Sequence, residues 1–104
     1  ELIEKNSENL FISSISAFEI GIKHRKGRIL LPQEPEKWIP QALSFHGIHD
    51  IPIDCHIAEQ ATSLPAVHRD PCDRIIIATA QIRGMKILTL DKLIRSFPDT
   101  ECVW

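Results

Sequence analysis

The chain has 104 residues, of which 43% are hydrophobic and 25% charged, with a formal net charge of −2. That length suits one small domain with one core, and the balance of apolar and charged residues excludes a disordered or fibrous protein. The weak acidity excludes a protein that grips nucleic acid by bulk charge, so any such contact must be local.

Three cysteines, Cys55, Cys72 and Cys102, form no C-x-x-C pair, and an odd number cannot all pair within one chain. Free thiols in a reducing cytosol follow as the simpler reading. No apolar run approaches the ~20 residues of a membrane span. Nothing at the start resembles a signal peptide, so a cytoplasmic location is expected.

The opening segment ELIEKNSEN reads as the tail of a helix, after which LFISSI, Leu10 to Ile15, has the length and β-branched content of a strand. Ser16 and Glu19 then form an S-x-x-E capping box, opening a helix that stops at Gly27 with Lys23, Arg25 and Lys26 in its last turn. After the proline-punctuated LLPQEP, a second helix is predicted near Glu36 to Phe45. A strand follows at IHDIPI, Ile48 to Ile53, with Pro52 pushing it toward an edge. Asp54 caps a short helix that Pro65 terminates.

The run Ile75-Ile76-Ile77 reads as strand on propensity alone. Context makes it a helix: Asp70 is the N-cap, Pro71 the first helical residue and Asp73 the third, and the segment runs on to Gly84. KILTL, Lys86 to Leu90, is then a strand, Asp91 caps the short helix KLIRSF, and ECVW is a last strand. This alternation predicts an α/β fold with a parallel sheet between helices.

Glu19, Asp73 and Asp91 each fall just past a strand or in the first turn of a helix. In open α/β sheets the carboxyl ends of the strands form the crevice where ligands bind, so acids arriving there from separate elements converge. Such a cluster needs compensation, and hard divalent cations such as Mg²⁺ or Mn²⁺ favour oxygen ligands. Each acid also has a plain structural reading: Glu19 as a capping-box partner, Asp73 as a dipole-stabilising residue, Asp91 as an N-cap. For Glu19 the capping reading is the stronger one from its own window.

Arg74, in a first turn where a cation opposes the dipole, either pairs with an acid or serves a phosphate. The cluster KHRKGR, Lys23 to Arg28, is explained by helix termination before contact with RNA phosphates. His46, His49, Cys55 and His56 match no structural-zinc spacing. HRD at His68 to Asp70 does not read as a kinase catalytic loop, since Ile75 stands where the metal-binding Asn belongs.

Taken together, ISSISAFEIGIKHRKGRILLP, LP-x-x-HRDPCDRIIIATA, ILTLD and the terminal VW resemble the PIN-domain ribonucleases, and within them the VapC-type toxins of prokaryotic toxin–antitoxin pairs. The resemblance implies a three-layer α/β/α fold with a parallel sheet of order 3-2-1-4-5 and a Mg²⁺ or Mn²⁺ site that cleaves RNA. It assigns catalytic and metal-binding roles to Glu19, Asp73 and Asp91, with Asp70 and Thr89 nearby. It also implies an antitoxin partner and a homodimer. Cys72 stands where relatives carry a phenylalanine.

Relatives begin with a hydrophobic strand ending in an aspartate that supplies the first metal ligand, and no segment of this chain matches it. The expected organisation is therefore one PIN-like domain over residues 1–104, incomplete at its N-terminal side. A slot between LFISSI and KILTL should follow, filled by a separate chain, by strand exchange with a second protomer, or by a further portion of the native protein. Direct hydrogen bonding between those two strands would refute the slot. The rival to an enzyme is a truncated, non-catalytic interaction module that binds an antitoxin or another protomer.

Overall fold

The computed structural model describes residues 10–65, 69–90 and 101–102. The first strand, β1 (Leu10–Ser13), is shorter than the apolar run that encodes it, and helix α1 (Ile15–Arg25) follows after one residue. The chain turns early because the ladder ends at Ser13, and the Ser14 N–H then donates to the Ile51 carbonyl at 3.0 Å. The capping box does not form. Ser14 occupies the N-cap without a side-chain capping bond, so Ser16 and Glu19 lie inside the helix at its second and fifth residues. The other end of α1 closes with Gly27 at φ 72°, where the Arg28 N–H donates to the Lys23 carbonyl at 2.8 Å.

A two-residue strand, β2 (Ile29–Leu30), precedes helix α2 (Pro35–Phe45), which starts on a proline and carries a second, Pro40, in its interior. Pro40 has no N–H to offer the carbonyl one turn back, which costs the helix a rung. Strand β3 (Ile48–Ile51) ends at Pro52. Asp54 then caps α3 (Cys55–Thr62), its side chain accepting the Ile57 N–H at 2.9 Å. The predicted N-terminus of α4 (Pro71–Arg83) forms as read, capped by Asp70 and closed by Gly84 in the left-handed region. The final strand β4 (Glu101–Cys102) is antiparallel to β2. Asp91 and the helix expected after it lie outside the described residues.

Strand β1 pairs in parallel with β3, Leu10 opposite Ile48 through Ser13 opposite Ile51. On its other side Ile12 forms a parallel bridge to Leu88, and the Leu88 N–H donates to the Phe11 carbonyl at 2.9 Å. This contradicts the expected slot between LFISSI and KILTL. The bond satisfies a donor and an acceptor that an open slot would leave unpaired. KILTL contributes this bridge rather than a full strand, and IHDI, LFIS, KILTL follow the implied order with its central member left out, whereas ECVW, implied as the fifth parallel strand, pairs through Glu101–Cys102 antiparallel to β2 instead.

Alternating side chains carry β1 into both layers. Ile12 packs with Ile20 of α1, Trp38 and Ala42 of α2, Ile48 and Leu88 on one face. Phe11 lies on the other, against the cluster of Ile51, Ile57 and Ala61 of α3 and Ala78 of α4. The result is an α/β/α sandwich in which α1 and α4 lie on opposite faces of β1. Among the described residues no helix is long and apolar enough to cross a membrane.

Candidate functional site

Two helices meet at the acidic site, α4 with its first turn and α1 with its second. At α4, Asp70 takes a non-helical conformation, and its Oδ1 accepts the N–H groups of Cys72 at 2.8 Å and Asp73 at 3.4 Å. Pro71, lacking an N–H, fits the first helical position, and Asp73 sits where the helix dipole favours an anion. Glu19 reaches this turn from α1. One ligand atom each from Glu19, Asp70 and Cys72 lies within 4.8 Å of the other two.

Glu19 is the electrostatic centre of the group. Its Oε1 is buried and has no hydrogen-bond partner. Burial raises its pKa above 4.5, the neighbouring Asp70 and Asp73 carboxylates raise it further, and Lys23 one turn along α1 pulls it back down. The Cys72 thiol is pushed up to about 11, first by burial and then by Glu19, Asp70 and Asp73. At neutral pH it is a neutral thiol. Cys55, by contrast, is exposed and stands apart from this group.

The residues chosen from sequence divide as follows. Glu19 and Asp70 come together, and the exposed Asp73 acts on Glu19 through its charge. Thr89 is exposed between the buried Leu88 and Leu90. Asp91 lies outside the described residues. Arg74 makes a set of bonds that neither expectation named. Its Nε donates to the Ala61 carbonyl at 2.9 Å, its Nη1 to Pro65 at 3.0 Å, and its Nη2 to Thr62 at 3.2 Å and Leu64 at 2.8 Å. These are carbonyls of the last turn of α3 and the residues after it, acceptors that a helix end leaves without partners. A guanidinium fork suits them, and it ties α3 to the turn that carries Asp70.

Sequence reading missed Cys72 as a member of the group, although its position two residues after an N-cap places it in the same turn. His46, His49, Cys55 and His56 form no metal-binding group among the described residues.

The donor chemistry fits a hard cation. Glu19 and Asp70 offer oxygen, the buried Glu19 oxygen has no other partner, and a protonated Cys72 is a poor ligand.

Comparison with known proteins shows the family. The sequence profile of the PIN domain matches residues 1–99. Ribonuclease VapC22 of Mycobacterium tuberculosis is 32% identical over 103 residues, a span covering 96% of this chain and 78% of the relative. No solved structure matches. On the length of the profile match and the identity to this relative, the chain belongs to the PIN-domain family, within its VapC type.

Proposed function

We propose that this chain is a Mg²⁺- or Mn²⁺-dependent endoribonuclease, the toxin of a toxin–antitoxin pair, which hydrolyses RNA phosphodiesters with water as the nucleophile. The observation that carries the reading is the buried, unpartnered oxygen of Glu19 beside the Asp70 carboxylate. Kinship to a protein named as a ribonuclease supports the choice of RNA.

In this reading Glu19, Asp73 and Asp91 hold the ion, while Asp70 and Thr89 flank them. When bound, the ion supplies positive charge for the anionic transition state and makes a water acidic enough to ionise near neutral pH. The protein's part is to gather the acids. Asp70 holds the first turn of α4 in place through its cap, and Arg74 anchors that turn to α3. Lys23 tempers the anionic field around Glu19. Burial and the Asp70 and Asp73 carboxylates raise the Glu19 pKa, so a cation held there would compete with protons for the same oxygen. No covalent protein intermediate enters the scheme.

An antitoxin segment covering the acidic groove and a second copy of the chain are the proposed partners. A strand-supplying partner is not, since β1 and Leu88 are already joined.

A Mg²⁺ titration with end-labelled RNA tests the proposal. Cleavage that rises with Mg²⁺, stops with chelator and is lost in Asp73→Asn is the expected result. Absence of cleavage and of cation binding would favour the non-catalytic interaction module instead.

A further inference from the structure

Among the described residues, three polar side chains are buried in full: Ser13, Ser16 and Thr79. Two of them are satisfied. The Ser13 Oγ accepts the Ile15 N–H at 3.3 Å, and the Thr79 Oγ1 donates to the Ile75 carbonyl one turn back at 2.7 Å. Ser16, only 1% exposed, has no partner for its Oγ.

The difference follows from position. Thr79 lies in mid-helix, where a preceding turn offers a carbonyl. Ser16 is the second residue of α1, and the residues a turn before it belong to β1 and the intervening turn. An orphaned buried hydroxyl costs stability, so its presence asks for a compensating use. The other unpartnered buried oxygen is Glu19 Oε1, three residues on, and residues at that spacing are neighbours on one helix face.

Neither atom bonds the other, yet two adjacent polar groups shut away from solvent suit an ordered water. We propose that Ser16 and Glu19 hold one water molecule between them, and that through it Ser16 is a positioning residue fixing the Glu19 carboxylate for a divalent cation. The water donates to Glu19 Oε1 and is held in turn by the Ser16 hydroxyl. This rests on the cation-binding reading of Glu19.

Calorimetric titration with Mn²⁺ and metal-free melting curves, run on the parent, Ser16→Ala, Glu19→Gln and Thr79→Ala, test it. Ser16→Ala should bind Mn²⁺ about tenfold more weakly, the loss typical of removing a group that orients a ligand. Its metal-free melting temperature should fall by less than that of Thr79→Ala, since the hydroxyl bonds a water rather than the backbone. Thr79→Ala, which breaks a made bond, should melt lower with unchanged Mn²⁺ affinity. If Ser16→Ala binds Mn²⁺ like the parent, or melts as low as Thr79→Ala, the inference is overturned while a Mn²⁺-deficient Glu19→Gln keeps the cation reading standing. If Glu19→Gln binds Mn²⁺ as the parent does, both go.

Discussion

The Asp70 carboxylate caps α4 by accepting the Cys72 N–H at 2.8 Å, and the same side chain lies within 4.8 Å of a Glu19 oxygen. One residue thus serves helix and site. Asp70→Ala is expected to lose about 1 kcal/mol of stability with the cap, whereas Asp70→Asn retains an acceptor and keeps most of it. Asp70→Asn should also lower the Glu19 pKa by removing an adjacent charge. Urea unfolding of the two variants measures the first effect, and a titration followed by carboxyl chemical shifts measures the second.

The raised pKa of Glu19 sets a pH dependence whose sign is fixed. Between 4.5 and its raised value the folded protein binds a proton that the unfolded chain releases. This contribution to stability is complete below 4.5 and is lost as pH rises through the folded-state pKa. Metal-free Glu19→Gln should therefore melt above the parent at pH 7.5 and converge with it at pH 4. Adding Mn²⁺ at pH 7.5 should reverse the order, since a ligand at 100 times its Kd stabilises by about 2.7 kcal/mol and Glu19→Gln forgoes this.

Arg74 makes four carbonyl bonds among the described residues with a planar fork that lysine lacks. Arg74→Lys is expected to destabilise by about 1–2 kcal/mol, the scale of losing a few partly exposed hydrogen bonds to a charged group. Exchange of backbone amides in α3 and at the start of α4 should accelerate more than elsewhere. Uniform acceleration across the fold would contradict a local tie.

How far the sequence leads depends on whether a signal is local. At α4 every cue sits within a turn of its target, and Asp70, Pro71, Asp73 and Gly84 all fall where their chemistry places them. At α1 the cue misleads. S-x-x-E has the spacing of a capping box, but the ladder with β3 stops at Ser13 opposite Ile51, 38 positions away by number, and the helix starts two residues early, shifting Glu19 from its third residue to its fifth. That shift leaves a half-buried acid with one buried oxygen, Oε1, that has no hydrogen-bond partner. Pairing between β2 and β4 and the bond from Leu88 to Phe11 are equally non-local, and no window contains them. Arg74 illustrates the same limit, because its acceptors belong to the end of another helix.

The central claim is that Glu19 and Asp73 help hold one divalent cation beside Asp70. Crystals of the protein soaked in Mn²⁺ and measured at an anomalous wavelength address it directly. A peak bonded to a Glu19 oxygen and to the Asp73 carboxylate is the predicted result. A Mn²⁺ peak elsewhere with none at Glu19, or no bound Mn²⁺ at millimolar concentration, would contradict the account.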